Sequence, residues 1–195
     1  MKLDDTKIGL KLIVAVGVIT IVINGAFSYF SISAQSDALS YQAEIHANKL
    51  SEAIKNSTLT SMLENKKEEI HAIIDTVSHE PSIMEIRILN KEGAVTFSSR
   101  KESIGKMVDK RAESCYACHT ENQPLQKLSM DERTRIYKMS PDSPRILAVI
   151  NPIYNEPSCY QAACHAHTKD QAVLGVLDIK MDLKDVDQQI EDSKF

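Results

Sequence analysis

The second cysteine of each cysteine pair in this chain is followed at once by a histidine. Cys115-Tyr116-Ala117-Cys118-His119 has two residues between its thiols, and Cys159-Tyr160-Gln161-Ala162-Ala163-Cys164-His165 has four. Two thiols at the shorter spacing reach the two vinyl groups of one porphyrin, and the adjacent imidazole falls beneath the ring where it ligates iron. That is the attachment pattern of c-type haem. The longer spacing is weak evidence alone, but it uses the only other cysteines and keeps the histidine in place. The expectation is two covalently attached haems c, held by Cys115, Cys118, Cys159 and Cys164, with His119 and His165 as proximal iron ligands.

Three other chemistries compete for the same thiols. Two local disulfides suit a compartment outside the cytoplasm, but they leave both Cys-His adjacencies as coincidence. A four-thiolate zinc site suits the Cys-x-x-Cys half and leaves both histidines unused. A thioredoxin-type redox pair expects a βαβ context. No Ser-His-Asp set, glycine-rich phosphate loop or acid pair with an evident role accompanies the thiols, so an ordinary hydrolase or transferase is not expected and the chain reads as a non-enzyme.

The elements that must position these groups begin with a membrane segment. Leu12 to Ile32 is a run of 21 residues without a charge, about 31 Å as a helix, which matches a bilayer core. It exceeds the usual apolar core of a cleavable signal, and Ser31-Ile32-Ser33-Ala34 is a poor cleavage site. Lys2, Lys7 and Lys11 precede it and no Lys or Arg follows until Lys49, which predicts a cytoplasmic N-terminus (1–11) and an extracytoplasmic, periplasmic remainder. Covalent haem attachment takes place on that side of the bacterial inner membrane, so topology and motifs agree.

Beyond the anchor (12–32), spacing predicts a helical stalk over 33–80. Leu39, Ala43, His46, Leu50, Ala53 and Ser57 recur at steps of four and three, suiting a packed helix or a homodimeric two-stranded seam. Glu64 to Lys67 is a polar interruption, Ile70, Ile73, Ile74 and Val77 form a second amphipathic face, and Pro81 ends it. Over 81–195 the pattern turns to strands: Ile83–Leu89 and Ala94–Ser98 about a turn at Asn90–Gly93, then Thr134–Met139, Arg145–Asn151 and Ala172–Met181. Leu183, Val186 and Ile190 are spaced for a final short helix. The expected class is α+β, a helical stalk followed by a five-stranded antiparallel sheet with two haem-binding loops.

Composition sets bounds on the partners. At a net charge of -4 nothing supplies the positive surface that phosphates require, so nucleic acid is excluded as a partner. At 43% hydrophobic residues the chain is not a disordered one. Aromatics are only 5% and Trp is absent, which leaves an aliphatic core that two porphyrins would complete.

Together the stalk, the strand Ile86 to Gly93, the Cys115–His119 loop and the run Asn151-Pro152-Ile153-Tyr154-Asn155-Glu156-Pro157-Ser158-Cys159 to His167 resemble a known family. They are similar to the extracytoplasmic haem-c sensor domains of bacterial histidine kinases and chemotaxis receptors, which have a PAS/Cache-like fold. Leu174 to Ile179 resembles the last strand of that fold. Those receptors continue through a second membrane helix into an output domain, and this sequence reaches Phe195 without one. The expectation is either a membrane-tethered cytochrome that exchanges electrons with redox partner proteins, or a redox or gas (oxygen or nitric oxide) sensor module acting on a membrane signalling protein.

The resemblance implies a distal Met from the helical region, which makes Met62 a candidate distal ligand beside His71 and His167. His167 is expected to reach the other haem rather than the one attached beside it. Met107 and Met130 flank the first haem loop, His46 and His79 are expected to be structural or exposed, and Met84 is assigned no role. Arg87, Arg133, Arg135 and Arg145 are candidates for the haem propionates. Asn155 and Glu156, with Pro152 and Pro157, are expected to shape the loop before Cys159.

Overall fold

A computed structural model describes residues 3–109, 128–161 and 167–193. Helix α1 runs unbroken from Leu3 to Leu63, with no proline anywhere in it. From Ile8 its N-terminal part is apolar and uncovered by the rest of the protein, long and apolar enough to cross a membrane. Its polar side chains find partners within the helix: Thr20 Oγ1 donates to the Val16 carbonyl (2.9 Å) and Asn24 Nδ2 to that of Thr20 (2.8 Å), which spares unpaired groups in hydrocarbon.

Asn65 stops α1. It takes a left-handed φ of 53°, which a short polar side chain tolerates, while Lys66 N–H donates back to the Ser61 carbonyl (2.8 Å) and Asn65 N–H to that of Met62 (3.1 Å). This is a Schellman-type ending. Helix α2, Lys67–Ser78, then folds back along α1. Strands β1 (Ile83–Asn90) and β2 (Val95–Ser98) form the expected hairpin, and a 3-10 turn follows at Lys101–Ser103. A short helix α3 (Met130–Arg133) leads into β3 (Thr134–Tyr137), then β4 (Ile146–Tyr154), a short helix α4 (Pro157–Tyr160), β5 (Val173–Asp182) and helix α5 (Lys184–Asp192).

All five strands pair antiparallel in the order β2-β1-β5-β4-β3, so the architecture is α+β as expected. The helices cover one face of the sheet, where Ile54, Ile70 and Ile74 meet Ile86, Ile88, Leu147, Val149, Leu177 and Ile179. The segment expected as a stalk is therefore, from Ala47 onward, part of the same core.

Two local expectations change. The buried stripe of α1 is Ala47, Ser51, Ile54, Thr58 and Ser61, while His46, Ala53 and Ser57 are exposed. The helix is rotated by one residue from the stripe that hydropathy selects. Its small hydroxyl residues satisfy themselves on helix carbonyls, Ser51 Oγ on Asn48 (2.8 Å) and Thr58 Oγ1 on Ile54 (2.9 Å), which lets the helix lie close to β4. Pro152 also lies in a strand rather than a loop, opposite Val176. β3 pairs with β4 only from Ile146 to Val149, so the proline, which has no N–H to give, falls where its outer side has no ladder to join among the described residues.

Candidate functional site

Where the last turn of α1 leaves the sheet, a cleft of about 160 Å³ opens. Leu59, Met62 and Leu63 form its helical wall, and Ile88, Leu89, Asn90, Thr96 and Phe97 of the β1–β2 hairpin face it. Ile153, Leu174 and Gly175 contribute from β4 and β5, and Cys159 and His167 close it from the segment between those strands. The lining is apolar apart from these few donor groups, as ligand sites tend to be.

Sequence explains how the strands make room. The β4–β5 register slips between Ile153 and Tyr154, so that Gly175 faces Ile153, Val173 faces Tyr154, and Leu174 is the extra residue of a bulge. Gly175 lies so close to β1 that a Cβ there would sit 2.4 Å from the Leu89 carbonyl oxygen. Only glycine fits.

The segment carrying the second cysteine pair leaves and re-enters the domain through a tied neck. Asn155 N–H donates to the Ala172 carbonyl (3.0 Å), and its side-chain Nδ2 donates to the carbonyls of Thr168 (2.9 Å) and Gln171 (2.8 Å). Pro157 opens α4 where its missing N–H costs nothing, and Cys159 N–H donates to the Glu156 carbonyl (2.8 Å). That single turn directs the thiol inward: Cys159 is 4% exposed. The loop-shaping role expected of Asn155, Glu156 and Pro157 matches this geometry.

Three of the residues singled out by sequence, Met62, Cys159 and His167, thus meet in one cleft although they come from different parts of the chain. His167, expected to serve the other haem, faces the same space as Cys159. His71 does not line the cleft. It is exposed on α2 and packs against Phe97, ring centroids 4.9 Å apart, so it backs the wall from outside. His46 and His79 are exposed, and His79 Nδ1 lies 2.7 Å from the Asp75 carbonyl oxygen. Met107 is 63% exposed and itself forms an isolated antiparallel bridge with Ala94, and Met130 is half-buried at the start of α3. Cys115, Cys118, His119, Cys164 and His165 lie outside the described residues.

Three of the four arginines expected at propionates, Arg87, Arg133 and Arg145, pair with carboxylates of the domain. Arg87 pairs with Asp178, buried on the sheet face away from the helices, and Glu85 stands beside it. Arg145 pairs with Asp187 of α5 (2.6 Å) and reaches Ser40 of α1. Arg133 donates to Glu52 of α1 (2.9 Å). Arg135 lies half-buried on β3 opposite Ala148.

Sequence inspection missed the polar bridge from α1 to the sheet. Asn151, fully buried in β4, donates through Nδ2 to Ser51 Oγ (3.1 Å) and accepts from Lys55 Nζ (3.0 Å), which also pairs with Glu52 (2.8 Å). Partial burial by itself would raise the Glu52 pKa, but hydrogen bonds from Lys55 and Arg133 outweigh it and hold the carboxyl below its ordinary value. An asparagine amid a run of buried apolar strand residues was the available signal.

Of the residues in the second motif, Cys159 is the one placed at the cleft, and Cys164 and His165 lie outside the described residues. A buried thiol, an imidazole and a thioether face an apolar wall, and thiol, His and Met are the protein groups that c-type haem takes. Asn155 Oδ1 and Gln171 Oε1 are buried at the neck without a hydrogen-bond donor among the described residues, acceptors of the kind that orient a ligating imidazole.

No family model matches the chain, and no curated protein matches it. Among solved structures, the sensor domain of E. coli DcuS is 18% identical at a TM-score of 0.45, over 80% of this chain and 98% of that one. The sensor domain of the V. cholerae histidine kinase DctB is 16% identical at a TM-score of 0.46, over 82% of this chain and 57% of that one. The periplasmic domain of RsbU from Chlamydia trachomatis is 18% identical at 0.40, over 81% of this chain and 55% of that one. At these values the functional reading rests on the site's own residues.

Proposed function

We propose that this chain is a membrane-anchored, extracytoplasmic dihaem c-type cytochrome with a PAS/Cache-like domain, moving single electrons. The observation that carries the reading is the meeting of Cys159, His167 and Met62 in one apolar cleft, added to two Cys-Cys-His motifs in the sequence. In this reading Cys115 and Cys118 hold one haem with His119 as proximal ligand, and Cys159 and Cys164 hold the other with His165. Met62 and His167, which line the cleft beside Cys159, would be the candidates to supply a further iron ligand at the second site. Bound haem supplies a one-electron iron couple. The chain's own contribution is to fix the thiol by α4, to orient the loop by the Asn155 neck and to keep water from the ring with Leu59, Ile88 and Leu174.

The test is intact mass with absorption spectra of the full chain, matured with haem-attachment machinery. Two haem masses with reduced c-type bands are expected. A haem-free mass from cells that mature other c-type cytochromes would overturn the proposal.

A sensor role is favoured by one specific observation: the helix that would cross the membrane is continuous with the helix that supplies Met62 to the cleft. A change at the cleft would reach the bilayer along one rigid element. Cross-linking of cysteines introduced into residues 33–46, compared between oxidised and reduced protein, tests this, and an unchanged pattern would count against it.

A further inference from the structure

One face of α1 carries small and polar residues from the apolar segment into the stalk. Gly17, Asn24, Ser31 and Ala38 recur every seven residues, and Thr20 and Ala34 follow the first and third of them by three. All six are exposed. At 3.6 residues per turn this seam lies about 180° around the helix from Ala47, Ser51 and Ile54, which are buried on the side of the sheet. The domain sits behind the helix and leaves the seam uncovered. Hydropathy selects a different seam, but Ala43 and Leu50 of that one pack against the domain core.

Two residues of the uncovered seam lack a purpose within a single chain. Asn24 lies in the apolar segment, where Nδ2 gives one N–H to the Thr20 carbonyl (2.8 Å). Its second N–H and its Oδ1 have no partner among the described residues, and hydrocarbon offers them no water. Gly17 is two turns away on the same face. A Cβ there would meet nothing within 4 Å, so no packing in this chain requires glycine, which weakens a helix relative to alanine. A second helix at close approach would use both features. A carboxamide is donor and acceptor at once, so the Asn24 of a second copy, related by a two-fold axis along the helices, offers what the first one lacks. An unrelated helix would need an amide at the same depth and on the matching face.

From this arrangement we infer that the apolar segment pairs in parallel with that of a second copy of this chain, the two Asn24 side chains exchanging hydrogen bonds inside the bilayer. Small residues let the backbones approach and polar side chains join them, as in other membrane helix pairs. The seven-residue recurrence gives the pair a left-handed crossing, and the two domains face outward on opposite sides. The inference rests on the membrane-anchor part of the reading above and on no haem.

The experiment uses the full chain, fused at its N-terminus to a donor or an acceptor fluorescent protein. Both fusions are reconstituted together into phosphatidylcholine vesicles at graded protein-to-lipid ratios. Energy transfer above the level of randomly placed monomers is expected, falling when unlabelled chain is added. Asn24→Val should raise the ratio needed for half-maximal transfer about tenfold, whereas Asn24→Gln, which keeps an amide, should stay within about threefold of the unsubstituted chain. Gly17→Leu should weaken pairing, and Val22→Leu on the opposite side of the helix should not. Adding Ile23→Asn to Asn24→Val turns the amide by about 100° and should not restore pairing. A cysteine introduced at Ala38 should cross-link on oxidation in excess over the unsubstituted chain, and one at Ser33 should not.

Transfer at the random level for the unsubstituted chain would overturn the inference, as would pairing of Asn24→Val at full strength or its restoration by Ile23→Asn. Release of the chain from the vesicles by alkaline carbonate would instead overturn the membrane-anchor reading, and the pairing with it. The two failures have separate readouts.

Discussion

Asn151 Nδ2 lies 3.1 Å from Ser51 Oγ, joining the middle of β4 to α1 where neither residue is exposed. Around them the interface is aliphatic, so this amide and hydroxyl specify how far along the sheet the helix sits, which the surrounding leucines and isoleucines specify only loosely. Removing the amide leaves Ser51 its bond to the Asn48 carbonyl and Lys55 its pair with Glu52. Asn151→Val should therefore cost about 2 kcal/mol and Ser51→Ala about 1 kcal/mol, with the double variant falling short of the sum by about 1 kcal/mol. Urea unfolding of all four proteins in detergent measures the cycle. Strict additivity would mean that the two side chains do not interact.

Met62 and Cys159 share a cleft but should fail differently when replaced. Under the proposed dihaem function, Cys159→Ser would remove a thioether attachment and should weaken or abolish retention of one of two haems by intact mass. Met62→Ala should keep both haems and open a position that binds carbon monoxide after reduction. Met62→His should lower the midpoint potential by on the order of 0.1 V, within the span of roughly 0.8 V that axial ligands command. If Met62→Ala leaves the spectrum and the carbon monoxide response unchanged, Met62 is not the ligand, and His167→Ala should give the effect instead.

Much of this arrangement was legible in the sequence. The strand runs, the hairpin turn at Asn90–Gly93 and the final helix follow from periodicity of two and then three to four, and each occurs within a few residues of its expected place. The helix-packing face did not follow, because Ser51, Thr58 and Ser61 are polar by composition yet small and self-satisfied against helix carbonyls or, for Ser61, Glu69. Hydropathy cannot distinguish such hydroxyls from exposed ones. Pro152 misled for a similar reason: a proline signals a loop unless the neighbouring strand has already ended, and that depends on the length of β3. At the site, Cys159 and the loop-shaping Asn155 were visible locally. That His167 faces the same cleft, and that Arg87, Arg133 and Arg145 are engaged by carboxylates distant in sequence, are facts of tertiary packing that no local pattern carries.

Gly175 offers a test of the cleft floor that does not depend on a cofactor. Its Cβ would meet the Leu89 carbonyl oxygen at 2.4 Å, a backbone atom that cannot swing away. Gly175→Ala must push β5 from β1 along a register that runs from Asn90 to Ile83. A cost of about 2 kcal/mol is expected, or roughly 6 °C in Tm, read by circular dichroism on the full chain. An unchanged Tm would show that the strands are farther apart than described.

Glu52 gives the domain a pH-dependent term of known sign. Its folded pKa is held below the ordinary 4.5 because hydrogen bonds from Lys55 and Arg133 overcome the opposing effect of partial burial. A carboxyl with a depressed folded pKa stabilises the fold above its unfolded pKa and loses that contribution as pH falls through the folded value. The pair with Arg133 also anchors the chain where it enters β3, so the loss should loosen the α1–α3 contact first. Wild type should therefore exceed Glu52→Gln in stability at pH 7 by no more than about 1 kcal/mol, since the carboxylate is 41% exposed and screened. That difference should shrink as pH is lowered below about 4.5. Urea midpoints of both proteins at pH 7, 5, 4 and 3 check this, and a difference that stays constant across the series would show that the ion pair contributes nothing.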